Sequence, residues 1–525
     1  NMHLPHKAPH PQRLFYLHEK PKLPSFQRAP MPPASSPVQA LQRAYASAMD
    51  VPPSYDEKYH NFLIERGDIE FDLPNSRIKH FRNRNKILGN EQLNTFSRLR
   101  TLQPWPRPAT ARQLMLALQK RNCNVGRYAG PCDPDVQAEE IVDNFFNTFC
   151  EPNWKDKIAS FKDDPVSISK ADMDSYLIAA DASKLTTLKE VRLKGDTPGP
   201  FRLDPEDLDH YNLIFKKEPK NRLNKDAIGE YQILQTVIHH DAKVNIICSF
   251  FRRMYERLQS ILLPKVFVQL KKSIDDLQDH LNQFVPKDAI GFENDYEKYD
   301  KSQLIETFAL ELAVYERLGM NTDILLLWIR ATEWKTVVNF LLAIRIKIAL
   351  QRTSGRVDTS LGNVLINMIT TGWSYKLIEI KFYAAYFVGD DSYIYPHALP
   401  DLFAVTMDLQ LFFNLLGKVI VGQGNYFCSC FLVHNGQRWL VFPDPVKRIE
   451  RLSYPLHTHS SDELKDRWLS FKDMCKNYYD ALGVAELCRQ CALRYPGSTM
   501  RTACSGIVAL MDDFNTFLDL YKFSY

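Results

Sequence analysis

No stretch of 18 or more apolar residues occurs in this chain, so no membrane-spanning helix can be drawn on it. The runs Ile324–Ile329 and Val337–Ile344 are too short to span and read as core. There is no signal-peptide pattern. The ten Cys residues are scattered, without the dense framework of a secreted disulfide scaffold. A reducing compartment is the simpler reading. Charge of one sign is not in large excess: 66 Lys and Arg face 62 Asp and Glu, giving +4 and a pI near 8.4. Bulk charge therefore names no nucleic-acid partner, and any basic surface must come from local clustering. No Gly-x-x-x-x-Gly-Lys-Ser/Thr loop is present, so no nucleoside-triphosphatase motor is visible. Internal repeats are absent. The chain begins with Asn rather than Met, which suggests a segment of a longer product.

What remains is an ordinary globular composition, 45% apolar and 24% charged over 525 residues, enough for more than one compact unit. Residues 1–55 are rich in Pro; Pro30, Pro32, Pro33 and Pro37, with Ser35 and Ser36, predict an extended arm or linker. Residues 56–200 look mixed and mostly helical, with helical spacing over Ala109–Lys120 and Asp135–Phe149. From about Leu203 strand-like and helical segments alternate. Gln303–Leu318 has helical spacing and stops at Gly319. Ile344, Ile346, Ile348 and Leu350 alternate with polar residues, which predicts a strand with one wet face. Tyr426–Val433 and Arg438–Phe442 read as a hairpin around Asn435-Gly436. Beyond about Ser460 the chain returns to helix.

Four segments carry chemistry. Val388-Gly389-Asp390-Asp391-Ser392 follows an apolar run and precedes Tyr393-Ile394-Tyr395, a strand–turn–strand pattern with two acids at its tip. Adjacent carboxylates repel unless neutralised, and a pair of divalent ions would do so. A plain hairpin turn is the bland alternative. Upstream, Asp295 would end a strand and Asp300 would start the next helix, where an acid is also a favourable cap. Ser354-Gly355 leads into a helix start on which Thr359 and Asn363 share a face; Asn can pair with a ribose 2′-hydroxyl. Finally, Lys216, Lys217, Lys220, Arg222 and Lys225 cluster as a triphosphate would require, or as any solvated basic loop might be built.

In this order, the segments resemble the RNA-dependent RNA polymerases of positive-strand RNA viruses. The resemblance is to the alphavirus-like supergroup, nearest the tobamovirus-type plant virus replicases and their insect-virus relatives. It is carried by Lys216–Leu223, Glu230-Tyr231, Leu234-Gln235-Thr236, His240, Lys243 and Asn245. Asp295 with Tyr299–Gln303, and Ser354-Gly355 with Thr359, Gly362 and Asn363, continue it. Gly389–Ser392 and Tyr426–Cys428 complete the series, covering roughly 205–450 well and 1–200 hardly at all.

The resemblance implies an α+β, right-hand fold of fingers, palm and thumb around a central antiparallel sheet. It implies 56–200 and 201–290 in the fingers, 291–450 in the palm and 451–525 in a helical thumb. Asp295 and Asp390 would bind two Mg²⁺ or Mn²⁺ ions, supported by Asp391. Asp300, Ser354, Thr359 and Asn363 would select the ribonucleotide. Lys216, Lys220 and Arg222 would meet the triphosphate, and Tyr426, Phe427 and Cys428 would grip the primer end. Lys418 is the nearest candidate for a basic general acid, although Asn414–Lys418 fits that pattern poorly. Template and product RNA, ribonucleoside triphosphates and other replicase domains (helicase, capping enzyme) are the implied partners. The host cytoplasm, at membrane-associated replication complexes, is the implied setting.

Two other readings share these residues. A reverse transcriptase would have the same two-metal site, but Asn363 and Asp300 argue for a ribose. A non-catalytic scaffold has no reason to keep repulsive carboxylates together. Other signals read as structure: Cys488-x-x-Cys491 as adjacent turns of a core helix, with Cys475 and Cys504 as loose partners; His457 and His459 as loop; Cys428 and Cys430 as strand residues pointing the same way.

Overall fold

The structure, a computed structural model, describes residues 36–53, 76–80, 97–102, 110–122, 134–169, 171, 205–216, 233–240, 244–340, 342–454, 456 and 461–521. In chain order the strands are β1 (Ser76–His80), β2 (His210–Phe215), β3 (Thr236–His240), β4 (Val266–Val268), β5 (Phe292–Glu297), β6 (Trp334–Asn339) and β7 (Ile344–Ala349). They continue with β8 (Phe382–Val388), β9 (Asp391–Pro396), β10 (Leu416–Ile420), β11 (Tyr426–Phe427), β12 (Cys430–His434) and β13 (Trp439–Pro443). Three sheets result, ordered β1-β7-β6-β2-β3, β10-β5-β9-β8-β4 and β11-β12-β13. Most neighbours are antiparallel; among the described strands β2–β6 and β4–β8 are parallel. The chain is a mixed helix-and-sheet protein with antiparallel-rich sheets.

The central sheet is β10-β5-β9-β8-β4. Strands β8 and β9 are mostly apolar on both faces because both faces are covered there. Phe382, Ala385 and Phe387 of β8 point into one core with Ile394 of β9, shared with the helices Pro134–Phe149, Cys248–Gln259, Thr359–Ser374 and Leu402–Phe413. Ala384 and Tyr386, with Tyr393 and Tyr395, point the other way. There they meet Phe427, Leu432, Trp439 and Val441 of the third sheet and Leu277 and Leu281 of the helix Ile274–Phe284. That third sheet is two-faced in turn: Phe431, Val433, Leu440 and Phe442 face a core built by the C-terminal helices. The β1-β7-β6-β2-β3 sheet has its own core, with Leu114 and Leu118 over Ile344, Ile346 and Ile348. The wet face expected for β7 is there: Arg345 and Lys347 are exposed between the buried isoleucines.

Several expectations are met closely. The helix Ile305–Arg317 stops before Gly319, which takes φ +82°. The hairpin β12–β13 turns through Asn435–Arg438, with Gly436 at φ +97°. The helices Ser461–Cys475, Ala481–Arg494, Arg501–Asp512 and Phe514–Leu518 fill the C-terminal region.

Others are corrected. Within the arm expected to be extended, Pro37–Met49 is a helix. Pro37 occupies its first turn, where a missing N–H costs nothing, and the Ser36 hydroxyl accepts the Gln39 N–H at 3.2 Å. Leu41 and Tyr45 are buried in the C-terminal core, which supplies the burial that composition did not reveal. Tyr426–Val433 is not one strand. Cys428 and Ser429, both at positive φ, form a tight turn between β11 and β12. Cys428 therefore sits exposed in a turn rather than beside the buried Cys430 on a strand. The run Ile324–Ile329 lies in the helix Thr322–Glu333 and is core on one side alone: Trp328 is buried, while Leu326 is 55% exposed. Residues 1–35, His457 and His459 lie outside the described residues.

Candidate active site

β5 lies between β9 and β10. Asn294 pairs with Ser392, so the next step along the antiparallel ladder brings Asp295 beside Asp391. On the other side Lys418 pairs with Asp295. Residues opposite one another on a ladder share a face, so Asp295, Asp391 and Lys418 line one surface of the sheet. Asp390 stands at the tip of the two-residue turn between β8 and β9, which Gly389 closes at φ +54°. Acids 95 residues apart in sequence are thus neighbours. Asp295, Asp390 and Lys418 are exposed; Asp391 is half-buried.

The Asp391 carboxyl carries the electrostatic signature of the site. It is pushed up to about 7, first by burial and then by the charges of Glu293, Asp390 and Asp295. The Cys428 amide donates to it at 2.9 Å and opposes the shift. Glu293 is held by Arg494, with Nη1 to Oε2 at 2.8 Å and Nη2 to Oε1 at 3.2 Å. Asp295 and Asp391 on that face, with Asp390 in the adjoining turn, offer oxygen donors of the kind hard divalent ions take. Among the described residues no three His, Cys, Asp or Glu side chains are grouped closely enough to hold a metal ion.

Asp300 lies in the one-turn helix Tyr299–Ser302, separate from the long helix that follows, with Lys298 in the left-handed conformation between it and β5. Asn363, on the helix Thr359–Ser374, donates Nδ2 to Asp300 Oδ1 at 3.0 Å. Its Oδ1 accepts from Gln303 Nε2 at 3.0 Å, and Gln303 Oε1 accepts from Arg352 Nε at 2.6 Å. Arg352 is itself ion-paired to Glu311 in the core. Gly362 makes room for that pair: a Cβ there would lie 2.4 Å from Arg352 Nη1 and 2.7 Å from Glu311 Oε1. The two residues matched by spacing, Asp300 and Asn363, are therefore in contact.

The other sequence candidates divide. Thr359 does not face Asn363's partners; its hydroxyl donates to the Thr353 carbonyl at 2.8 Å and closes the loop that precedes the helix. Ser354 is exposed in that loop. Lys216 is exposed just past β2, its amide donating to the Gln235 carbonyl at 2.9 Å. Lys220 and Arg222 lie outside the described residues. The β11–β12 hairpin exists, but the Tyr426 and Phe427 side chains are packed inward. Tyr426 donates to Asp444 Oδ2 at 2.8 Å beneath the Arg494 guanidinium, and Phe427 is fully buried against Tyr386. What the hairpin exposes is its turn at Cys428 and Ser429.

Two residues that hold the surroundings of the acids escaped the sequence reading. Asn367, one turn beyond Asn363, donates Nδ2 to the carbonyls of both Gly389 and Asp391 at 3.2 Å. It fixes the acid-bearing turn from the opposite face of the sheet. Arg494 reaches from the C-terminal helices to Glu293. A buried Asn four residues after another in an apolar helix was a usable signal for the first; nothing local marks the second.

A sequence profile described as RNA dependent RNA polymerase matches residues 66–520, and the chain belongs to that family. Among its relatives is the RNA replication protein of Citrus leprosis virus C, 27% identical over 80% of this chain and 16% of that protein. The replicase large subunit of Turnip vein-clearing virus is 24% identical over 81% of this chain and 26% of that protein. That of Sunn-hemp mosaic virus is 29% identical over 70% and 22%. The chain thus covers 16–26% of the length of these replicases.

Proposed function

We propose that this chain is the template-dependent RNA polymerase part of a viral replicase, joining ribonucleoside triphosphates to an RNA 3′ end for genome replication and transcription. The observation that carries the reading is the meeting of Asp295 with the Asp390-Asp391 turn on one sheet face. Asp295 and Asp390 would hold two divalent ions, with Asp391 in support. When bound, such ions lower the pKa of the attacking 3′-hydroxyl and neutralise the triphosphate. The Asp300–Asn363 pair, already locked through Gln303, presents a fixed acceptor for the ribose 2′-hydroxyl. Lys418, across the ladder from Asp295, would give a proton to the leaving pyrophosphate. Lys216, Lys220 and Arg222 would meet the phosphates at the entry side. The turn at Cys428 would approach the primer end with its backbone.

The right-hand arrangement belongs to the same proposal. Strands β5, β8, β9 and β10, within 291–450, would be the palm, with β4 of the 201–290 region completing their sheet at its edge; the rest of 201–290 and 56–200 would contribute fingers, and the helices of 451–525 the thumb. The helix Pro37–Met49 docks on that thumb as part of the 1–55 arm. Template and product RNA, a helicase and a capping enzyme are the partners, at replication complexes on cytoplasmic membranes. No described helix is long and apolar enough to cross a membrane.

Primer extension by the purified chain on a primed RNA template tests the reading, with Mg²⁺ or Mn²⁺ and either ribo- or deoxynucleotides. Ribonucleotides are expected to be incorporated, with Asp390→Ala lowering the rate by more than about 100-fold. Preference for deoxynucleotides would identify a reverse transcriptase. Undiminished extension by Asp390→Ala would remove the site assignment. No extension by the folded chain would leave a scaffold.

A further inference from the structure

Eight cysteines fall among the described residues, and one pair of them is in contact. Cys488 Sγ lies 4.0 Å from Cys504 Sγ, the first on the helix Ala481–Arg494 and the second on Arg501–Asp512. The pair crosses between helices. It is not the Cys488-x-x-Cys491 spacing, since Cys491 points one turn on into the fully buried core. We propose that Cys488 and Cys504 are a redox-active pair that closes to a disulfide when the chain meets a peroxide. The inference is independent of the polymerase reading.

The two sulfurs are unlike in the way such chemistry needs. Cys488 is half-buried and opens to solvent; Cys504 is 2% exposed. The Cys488 thiol is lowered by its hydrogen bond to Cys504, and the Arg501 guanidinium lowers it further against burial. Cys504 is raised by the same hydrogen bond and by burial. Cys488 is therefore the attacking thiolate and Cys504 the resolving thiol. Cys475 is buried and raised to about 12, and Cys491 is raised too, so neither competes. The Cys488 thiolate attacks one peroxide oxygen, forming an S–O bond as the O–O bond breaks and hydroxide leaves to become water. The Cys504 sulfur then attacks the sulfenic sulfur, forming S–S as S–O breaks, and its proton leaves with the second water. Two thiols supply two electrons, and peroxide becomes two waters. A disulfide needs sulfurs about 2.05 Å apart, which a change of side-chain rotamer on facing helices can supply.

The consequence is mechanical. The helix Ala481–Arg494 also carries Gln490, which accepts from the Asn425 amide at 3.1 Å, and Arg494, which holds Glu293. A bond from Cys488 to Cys504 staples that helix to its neighbour.

The test uses the full chain, reduced and then treated with a small excess of hydrogen peroxide, blocked by alkylation and mapped by mass spectrometry without reductant. The expected result is a cross-linked Cys488–Cys504 peptide about 2 Da below the sum of its reduced parts, restored by dithiothreitol, with melting raised by several degrees. Cys504→Ser should leave Cys488 as a sulfenic acid that dimedone captures. Recovery of both thiols in reduced, alkylated form after peroxide would overturn the proposal. So would a Cys488–Cys491 bond, or Cys504→Ser chain without dimedone adduct at Cys488.

Discussion

Asn367 is the residue on which the geometry of the acid turn hangs. Its amide bridges the Gly389 and Asp391 carbonyls, and Thr371 Oγ1 donates to its own Oδ1 at 3.1 Å, which fixes which end of the amide faces the turn. Asn367→Ala should cost about 1–3 kcal/mol of stability, since two hydrogen bonds to the turn and one within the helix are lost. It should also slow extension by roughly 10–100-fold, as loss of an orienting neighbour does around metal sites. Thermal melting and primer extension check both; an unchanged rate would show that the turn holds its shape unaided. At this scale the sequence marked several of the side chains that the fold brings together. Asp295, Asp300, Asn363, Asp390 and Asp391 were all legible from spacing. The Thr359 hydroxyl is occupied by a carbonyl of its own loop, a local partner within reach of any hydroxyl at a helix start.

Helices and hairpins carry the next level. The helix Ala481–Arg494 ends in a guanidinium that stacks 3.5 Å above the Tyr426 ring and grips Glu293 with both arms. Two residues before Asp295, that pair joins the C-terminal helices to the acid face. Arg494→Ala would leave a largely buried carboxylate alone and should destabilise the fold by about 3 kcal/mol. Arg494→Lys should recover only part, since an ammonium cannot form the fork. Pairing Arg494→Ala with Glu293→Gln should recover more than the sum of the single changes implies. Urea denaturation of the four variants measures the coupling; strict additivity would mean the contact contributes nothing. Periodicity and caps made the long helices readable. They could not foresee Pro37–Met49, whose stability comes from a core almost the whole chain away, nor the Cys428–Ser429 turn, where two residues accept positive φ.

Across the whole molecule, three cations and two acids are buried together: Lys335, Arg352 and Arg356 with Glu311 and Asp358. Beside them, His240 ties β3 to the loop before Thr359. Its Nδ1 accepts the Val357 N–H at 3.3 Å and its Nε2–H donates to the Leu208 carbonyl at 3.1 Å, so the ring must be neutral. Burial first, and then the Arg356 charge, lower it from 6.5 to about 3. Between those values the unfolded chain binds a proton that the folded chain refuses, so stability falls as pH falls. The loss begins below pH 6.5 and grows toward 3, by at most about 1.4 kcal/mol per unit. His240→Gln should flatten the slope of melting temperature against pH between 6.5 and 4. An unaltered slope would assign the acid sensitivity to other groups.

The sequence by itself determined the chemistry and the local grammar: which acids, amides and cations are present, where strands alternate, where helices stop, and to which family their order belongs. Those features depend on neighbours a few residues apart, and such neighbours are written in line. Tertiary structure alone decided that Asp295 faces Asp391, that Lys418 lies beside them, that Asn367 and Arg494 hold the arrangement, and that Cys488 meets Cys504. Each depends on strand register or on helices packed across a core, and the free energy that selects them is the burial of surfaces distant in sequence.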